Sequence, residues 1–478
     1  MALAREGEKL VANIAAKRVQ HAPMRDLIPE LCDIIFAYCA EAECSLDCNN
    51  VPDSNFGKNY PISLANVCQR WRAMVMDNPS LWTTLHLRPS TCADSEVERL
   101  HLFISRSMDL PLNVTICPSH KLRLERDTKA ISSAVLPLLV QLLPHFHRIR
   151  SFKTHLGMEI LPTMFPKEMT TDMPLIENLD LLVDDHRVST PSLGLLDSPR
   201  LRNLHVRDVT PLVEALSDTM NSLHSLTITG CDQWKSSRAF PEMLSRCTDL
   251  RSCSITFPNN LFFMDVEPIV LPELESLSLE WPFLFEPSPI FRALRAPKLR
   301  SLRIAHLSRQ LVLPPQILSS LKGLVQSAPL LSQLTLSGCN LLNQDESAAL
   351  LHEAYNVRKL ELIDCQRFLL PLIPTNPFDA STWLCPVLER LKVTGLHDSD
   401  VRPIVNLARN RALGFTNAEK IKATTPDAIQ YGFLSELELD TQSRNLTRQG
   451  RLLILSGLFG MQLFLDIRGP YGKLFGTA

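Results

Sequence analysis

The sequence predicts an α/β fold in which a small N-terminal block of three helices precedes a solenoid of strand–helix repeats. The solenoid is predicted by an apolar motif that recurs ten times between residues 176 and 439, with helix-like segments between several copies. The separate N-terminal block is predicted by helical apolar spacing near residues 27–82, before the repeats begin. A chain of 478 residues is too long for one ordinary compact core, which agrees with this plan.

The first element is predicted at residues 27–39 (LIPELCDIIFAYC). Pro29 and Glu30 suit the first turn of a helix, where no proline N–H is needed and a negative charge is favoured. Four apolar residues then follow at helical spacing: Leu31, Ile34, Ile35 and Tyr38. Residues 42–60 are rich in Asn, Asp and Ser and predict a loop.

The helical pattern resumes at residues 61–82. Its predicted apolar stripe contains Leu64, Val67, Cys68 and Trp71. The segment SLWTTLHL, residues 80–87, alternates like a strand and could join the helical block to the solenoid. Trp71 lies between Arg70 and Arg72, so its ring needs an apolar surface that those two neighbours do not provide.

The repeated motif is L-x-x-L-x-L, with occasional Ile, Val or Cys. Its copies begin at residues 176, 201, 223, 250, 274, 299, 331, 357, 388 and 434. Most starts are 22 to 32 residues apart, which is typical of leucine-rich repeats, and the gap of 46 before the last leaves room for an insertion or a degenerate repeat. RIRSFK, residues 148–153, resembles an earlier and weaker copy.

Other positions in the repeat support this interpretation. A proline stands two residues before the motif in six copies, at Pro174, Pro199, Pro272, Pro297, Pro329 and Pro386. We expect it to end a preceding helix and to set an extended entry into the strand. The ninth motif position is a cysteine in three copies, Cys231, Cys339 and Cys365, and this side chain is expected to turn inward. Helices are expected at residues 211–223, 317–327 and 343–356.

The predicted architecture places parallel strands on the concave face and helices outside, because each unit needs its neighbours to bury its leucines. The alternative is an ordinary α/β domain with leucine-rich strands, but ten copies and the recurrent proline count against it.

The third, fifth and seventh motif positions alternate with the buried leucines and should point out of the sheet. Six of these side chains are candidate contacts with a target protein: His205, Arg207, Arg303, Lys359, Arg390 and Lys392. The last four could hold the anionic groups of a polar or phosphorylated peptide. The simpler interpretation is that they are ordinary solvated side chains.

The N-terminal block resembles a known motif. LIPELCDIIF, LANVCQRWRAMV and NPSLWTTLHL are similar to the F-box, in the variant with a loop between its first two helices that is abundant in mushroom-forming fungi. One extra residue stands between Leu27 and Pro29. The resemblance implies docking on a Skp adaptor and, through it, on a cullin–RING ubiquitin ligase.

Carried over to the matching positions, the adaptor contacts would be Leu27, Pro29, Glu30, Ile34, Ile35, Val67, Cys68, Trp71 and Trp82. Some apolar residues must instead hold the helices together, and Phe36 and Leu64 are the candidates for that packing. Trp71 could alternatively pack on the first repeat.

The resulting domain plan is an N-terminal arm at 1–22, an F-box at 23–88 and leucine-rich repeats at 89–478. The predicted function is target recognition in a Skp–cullin–F-box ligase, with no catalysis by this chain. The alternative is a leucine-rich-repeat scaffold unconnected to ubiquitin, whose helices only cap the first repeat.

Composition and motifs narrow the function classes. A formal net charge of −2 indicates neither nucleic acid nor an anionic membrane as a partner, and the longest apolar run, residues 134–143, is too short to span a bilayer. The first twenty residues contain no apolar signal-peptide core, and two glutamates count against a transit peptide. Thirteen scattered cysteines then favour a cytoplasmic or nuclear location.

The sequence indicates no cofactor, metal site or enzyme centre. It lacks the phosphate-binding, zinc-protease, serine-hydrolase and Cys-x-x-Cys motifs. Cys32, Cys39, Cys44 and Cys48 are the nearest approach to a metal cluster, but their spacings of seven, five and four do not match the usual zinc pairs. No cysteine has a recognisable catalytic setting.

Overall fold

The structure is a computed structural model of the 478-residue chain. It describes residues 28–44, 60–89, 94–118, 128–156, 160–167, 170–183, 196–207, 220–230, 239–257, 266–281, 288–306, 315–339, 344–376, 383–422, 434–440, 446–458 and 464–468. The chain divides into two compact units, Met1–Ile160 and Leu161–Ala478. Leu27, the arm at 1–22 and most of the expected helix at 211–223 lie outside the described residues.

The first unit combines five helices with three strands in its described part. The helices are α1 (Pro29–Cys44), α2 (Tyr60–Ala65), α3 (Gln69–Asp77), α4 (Asp94–Arg106) and α5 (Thr128–Leu142), and 3-10 turns cover Pro79–Trp82 and Leu143–Arg148. The strands are β1 (Thr84–Leu87), β2 (Leu112–Ile116) and β3 (Ile149–Leu156). β1 and β3 both pair in parallel with β2, and the β2–β3 register shifts at Leu112.

The helix predicted to resume at residue 61 is divided in two. α2 ends at Ala65, and α3 begins at Gln69 after an extended Cys68 whose sulfur accepts a hydrogen bond from the Trp71 N–H at 3.4 Å. Cys68 is therefore the N-cap of α3. The predicted strand after Trp82 is confirmed as β1, with Leu85 and Leu87 buried.

One segment of the first unit passes a length-and-composition test for a membrane helix. Lys129–Arg148 spans 20 residues with a mean hydropathy of 1.3, and 44% of its apolar window is buried inside the protein. A single such helix is weak evidence for a membrane span, because the core helix of a soluble protein passes the same test.

The second unit contains eight described helices and fifteen described strands. The helices are α6 (Leu161–Met164), α7 (Ala239–Arg246), α8 (Ser288–Ala293), α9 (Pro315–Gln326), α10 (Gln344–Glu353), α11 (Leu369–Leu372), α12 (Val401–Lys422) and α13 (Arg448–Leu458), with 3-10 turns at Met220–Ser222, Gln366–Phe368 and Asp398–Asp400. α9 and α10 confirm the helices expected at 317–327 and 343–356.

Eleven strands of this unit form one parallel ladder. They are β5 (Asn178–Val183), β7 (Asn203–Arg207), β8 (Ser225–Thr229), β9 (Ser252–Thr256), β11 (Ser276–Trp281), β13 (Ser301–His306), β14 (Gln333–Ser337), β15 (Lys359–Ile363), β16 (Arg390–Thr394), β17 (Glu436–Asp440) and β18 (Phe464–Arg468). Two short parallel pairs accompany it, β4 (Thr171–Asp172) with β6 (Leu196–Asp197) and β10 (Ile269–Val270) with β12 (Leu294–Arg295).

The ten motif copies predict the strands of this ladder. Each ladder strand from β5 to β17 begins two residues after the start of a motif copy. Neighbouring copies pair without a shift in register. The first, fourth and sixth motif positions are buried in all ten copies. The N–H groups of Arg202 and Asn203 both donate to the Glu177 carbonyl at 2.9 Å. Along the ladder, two consecutive N–H groups of one repeat likewise share one carbonyl of the preceding repeat.

The recurrent proline has a different role from the expected one. The Ile176 N–H donates to the Met173 carbonyl at 3.1 Å, so Pro174 is the second residue of a four-residue turn that leads into the strand. The fixed φ of proline suits that turn position. Four of the six prolines follow a two-residue strand, and Pro329 comes shortly after α9.

Two positions after the strand have special roles in some copies of the motif. Cys339 and Cys365, at the ninth position, are buried, and the Cys365 sulfur accepts the Cys339 N–H at 3.1 Å. Cys231 lies outside the described residues. The eighth position has a positive φ in four copies: Gly230 (69°), Gly338 (67°), Asp364 (50°) and Gly395 (75°). In these four copies the chain leaves the strand through a left-handed residue.

Candidate protein-interaction surfaces

The first candidate surface is the outer side of α1. We define the N-terminal apolar surface as the exposed side chains of Ile28, Leu31, Ile34, Ile35 and Tyr38. Ile34 is 61% exposed and Tyr38 is 76% exposed, and Val67, just after α2, is 60% exposed. The five residues of the surface follow one another at three- and four-residue spacings, so they present large apolar groups to solvent along one side of α1.

The opposite side of α1 packs inside the first unit. Cys32 and Phe36 are buried there, one helical turn apart. The Phe36 ring meets the Trp71 ring edge-on, with 4.9 Å between their centroids. Asp33 accepts a hydrogen bond from the Asn78 side chain at 3.1 Å. A helix that is apolar on both sides is normally covered on both sides, yet the described residues of this chain cover only one side of α1.

The two tryptophans of the block have different environments. Trp71 is half-buried against Phe36, so its ring is divided between the interior and the surface. Trp82 is 0% exposed, donates its indole N–H to the Val75 carbonyl at 2.8 Å and packs edge-on against Phe103 of α4. A ring without exposed surface cannot contact a second protein. Trp82 is therefore an internal packing residue, which corrects its assignment as an adaptor contact.

The other predicted adaptor contacts that the structure describes lie near the surface. Pro29, Glu30, Ile34, Ile35, Val67 and Cys68 are exposed. Phe36 and Leu64 are buried, as expected for the residues that hold the helices together. Leu27 lies outside the described residues. The adaptor-binding role of these residues stays a prediction.

The second candidate surface is the open face of the eleven-stranded ladder, formed by the third, fifth and seventh motif positions. These side chains are partly or fully exposed in the described copies except at Leu182 and Ala305, which are buried. The middle of the face carries serine and threonine side chains on β8, β9 and β11. The face becomes strongly charged from β15 to β17.

The charged part contains a recess of about 200 Å³. We define the charge cluster as the six ionisable residues that line it: Lys359, Glu361, Arg390, Lys392, Glu436 and Glu438. Arg390 Nε lies 2.9 Å from a Glu436 oxygen, and Lys392 Nζ lies 2.6 Å from Glu361 and 3.9 Å from Glu438. Three acidic and three basic residues give the cluster a net charge of zero.

These pairs change the interpretation of the six predicted target contacts. Arg390 and Lys392 already have glutamate partners, and His205 Nδ1 lies 3.1 Å from an Asp180 oxygen. Arg303 and Lys359 are exposed and have no ion pair among the described residues, whereas Arg207 is half-buried. A phosphate group would have to compete with carboxylates for Arg390 and Lys392, so these two are poor anion partners.

Four of the buried cysteines offer little nucleophilic chemistry. Burial raises the pKa of the Cys247 and Cys385 thiols to about 12 and also raises the pKa of Cys253 and Cys365. Such thiols are protonated, and therefore weak nucleophiles, at neutral pH. Cys68 is exposed, but its sulfur caps α3. Within the described residues, no group of three or more His, Cys, Asp or Glu side chains is placed to hold a metal ion.

Two comparisons with known proteins found no match. No protein-family model matches it. No curated protein matches it at a significant level.

Two solved structures are similar to it at low identity. The leucine-rich repeat-containing protein LegL7 from Legionella pneumophila is 14% identical, with a TM-score of 0.32 over 56% of this chain and 84% of that chain. The complex of Rad7 and Elc1 in yeast is 11% identical, with a TM-score of 0.36 over 99% of both chains. Neither likeness is close enough to carry an argument about function. The ladder of in-register motif strands itself shows that the second unit has the leucine-rich-repeat architecture.

Proposed function

We propose that this chain is the target-recognition subunit of a Skp–cullin–F-box ubiquitin ligase. The first unit would bind the Skp adaptor, and the repeats of the second unit would bind a target protein. The observation that carries the proposal is the N-terminal apolar surface, because Ile34 and Ile35 lie on it at positions where the F-box resemblance implies adaptor contacts. Pro29 and Glu30, at the exposed start of α1, match the same motif.

The energetics favour a partner on this surface. Full burial of one large aliphatic side chain contributes about 1.5–3 kcal/mol. Four or five such side chains can offset the entropic cost of association and stabilise a complex. Trp71 would contribute the exposed part of its ring while Phe36 continues to hold the other part.

The proposed division of labour needs no catalytic group on this chain. Ubiquitin transfer would be carried out by a recruited conjugating enzyme, and this chain would raise the effective concentration of the target near it.

The test is co-expression with a Skp adaptor followed by size-exclusion chromatography. We expect the wild-type chain to elute as a 1:1 complex, and the double variant Ile34→Asp, Ile35→Asp to lose it, because two carboxylates would have to be buried at the contact. Both side chains are exposed in the free chain, so the thermal melting profile of the variant should match the wild type.

The matched control is Val140→Asp, an exposed apolar residue on α5 of the same unit. This variant should keep the adaptor. The proposal is wrong if the wild type does not bind the adaptor, or if the double variant and the control bind it equally well.

A second candidate function is a leucine-rich scaffold unconnected to ubiquitin. The observation that favours it is the packing of Trp82 on Phe103, because it joins the N-terminal helices to the helix that follows β1. The helices would then serve as a cap that shields the apolar edge of the first strands. This function predicts that no Skp adaptor co-elutes.

A further inference from the structure

Two neighbouring turns at the entry to the ladder expose large apolar side chains. Residues 328–331, before β14, and residues 354–357, before β15, each form a turn closed by a backbone hydrogen bond, of 3.0 Å and 3.2 Å respectively. We define the rim patch as Pro329 and Leu330 of the first turn and Tyr355 of the second. All three residues are exposed, Leu330 by 49% and Tyr355 by 54%.

These apolar side chains depart from the pattern of the preceding repeats. The residue directly before the motif is polar in five consecutive copies: Arg200, Ser222, Asp249, Glu273 and Lys298. In the next copy it is Leu330, and one copy later Tyr355 takes the place of the recurrent proline. The turn itself does not require a large apolar group, because the turn that contains Lys298 closes with the same hydrogen bond at 3.1 Å. Neighbouring exposed apolar side chains that the turns do not need indicate an interaction surface.

A side-chain hydrogen bond joins the two turns. The amide nitrogen of the Asn356 side chain donates to the Pro329 carbonyl at 2.8 Å. Leu330 and Tyr355 therefore belong to turns that are held together before any ligand arrives. A surface that is ordered in advance loses less conformational entropy when it binds.

The rim patch adjoins the recess of the charge cluster. Gln333 follows Leu330 by three residues, and Lys359 follows Tyr355 by four. Gln333 and Lys359 are register partners at the start of β14 and β15, and both line the recess of about 200 Å³. A ligand at this end of the recess is therefore close to the rim patch.

Lys359 is available to an anionic group of such a ligand. The cations beside it are already paired, Arg358 with Glu389 and Arg390 Nε with Glu436 at 2.9 Å. Lys359 is exposed, and no acidic side chain pairs with it among the described residues.

The acidic residue on the same face of β15 is engaged elsewhere. Glu361 lies 2.6 Å from Lys392 Nζ and accepts the Thr335 hydroxyl at 3.3 Å. The end of the recess beside the rim patch thus combines an unpaired cation with exposed apolar surface.

We propose that the rim patch and Lys359 together bind a segment of the target protein that carries an acidic side chain close to a large apolar one. The carboxylate would pair with Lys359, and the apolar side chain would cover Leu330 and Tyr355. One unpaired cation is too few for a nucleic acid, whose binding depends on several phosphate contacts. This inference rests on the proposed role of the repeats in target binding, and it specifies the chemistry of the target.

The test uses fluorescein-labelled peptides and the full-length protein, with binding followed by fluorescence anisotropy at low and physiological salt. The probes are Gly-Ser-Glu-Phe-Gly-Ser and two longer peptides with one or two glycines between Glu and Phe. Comparison peptides carry Gln in place of Glu, or Ser in place of Phe, in the probe that binds most tightly. We expect each replacement to weaken binding about tenfold, and higher salt to weaken only the peptides that contain Glu.

Two variants separate the charged contact from the apolar one. Lys359→Glu should weaken binding of the best probe at least about tenfold, and a peptide with Lys in place of Glu should recover the affinity. The double variant Leu330→Ser, Tyr355→Ser should weaken the same probe about tenfold and should no longer discriminate between Phe and Ser in the peptide.

The matched controls are Lys167→Glu and Leu370→Ser, which change an exposed lysine and an exposed leucine away from the rim patch. Both should leave the affinity unchanged. All the substituted side chains are exposed, so every variant should keep the thermal melting profile of the wild type.

Four results would overturn the inference. They are absence of binding of all three probes to the wild type, equal affinities of the wild type and Lys359→Glu, equal affinities of the wild type and the double variant, and a wild-type dimer in light scattering that the double variant dissolves. The last result would assign the rim patch to a second copy of the chain.

The adaptor test is independent of these results. Lys359→Glu and the double variant should co-elute with a Skp adaptor like the wild type, because the proposed adaptor contacts belong to the first unit. Absence of adaptor binding by the wild type, with probe binding retained, would refute the proposed function and support the rim patch as a peptide site.

Discussion

Trp71 and Trp82 are eleven residues apart, and their environments show how single residues divide between stability and recognition. Trp82 has a hydrogen bond to the Val75 carbonyl, a ring contact with Phe103 and no exposed surface. Trp71 has one ring contact, with Phe36, and remains half exposed. Trp82 stabilises the unit, and Trp71 lies where a partner can reach it.

Substitution should separate these two roles. We expect Trp82→Ala to lower the free energy of unfolding by about 3–5 kcal/mol, because it empties a closed space and leaves the Val75 carbonyl without its donor. Trp71→Ala should cost clearly less, because part of its ring is already in water. Urea denaturation followed by far-ultraviolet circular dichroism measures both. Equal losses for the two variants would show that Trp82 is not the internal anchor that its contacts indicate.

At the scale of the element, four of the repeats combine a strand with a sharp exit through a residue of positive φ. The leucines at the first, fourth and sixth motif positions hold the strand against the interior. A residue with positive φ then turns the chain, and a β-carbon at Gly338 would lie 2.2 Å from the His306 carbonyl oxygen of the preceding repeat. Glycine is therefore required there by the backbone conformation and by the close approach of the neighbouring strand.

Two glycine substitutions should have opposite effects. Gly338→Ala should destabilise the protein by more than about 1 kcal/mol, because alanine is strained at positive φ and clashes with His306. Gly323→Ala should stabilise it by about 0.5–1 kcal/mol, because Gly323 lies inside α9 and its added β-carbon meets nothing within 4 Å. Differences in urea midpoint give both signs. Stabilisation by Gly338→Ala would contradict the structure.

At the scale of the whole molecule, the two candidate surfaces belong to different compact units. The N-terminal apolar surface lies in Met1–Ile160, and the charge cluster lies in Leu161–Ala478. Their chemistry also differs: the first is apolar and suited to a lasting subunit contact, whereas the second is charged and suited to selection. The proposed recognition subunit would need both kinds of contact at once.

Substitution in the charge cluster should leave the proposed adaptor contact intact. Arg390→Ala should still co-elute with a Skp adaptor as a 1:1 complex, because the proposed adaptor contacts belong to the first unit. Size-exclusion chromatography measures this. Loss of the adaptor in Arg390→Ala would contradict the assignment of the adaptor contacts to the first unit.

The sequence predicted the repeats well and the sites only in part. Leu277, Leu302 and Leu334 were identifiable as core residues because their alternation with polar neighbours is a local pattern. The burial of Trp82 was not predictable, since Phe103 and Val75 reach it from other helices. The glutamate partners of Arg390 and Lys392 follow from the register of the strands, and an alignment of the motif copies could have supplied that register. The side-chain distances of these pairs could not be derived from the alignment.

What the sequence alone determined is the parallel ladder and the side of each strand that faces the core, because a two-residue period assigns every side chain to one face. The tertiary structure decided which large apolar residues remain uncovered on α1 and which charges on the open face neutralise one another. Those outcomes depend on groups that come together only after the chain folds. The physical reason is that burial and charge pairing are properties of three-dimensional neighbours, whereas periodicity belongs to the chain itself.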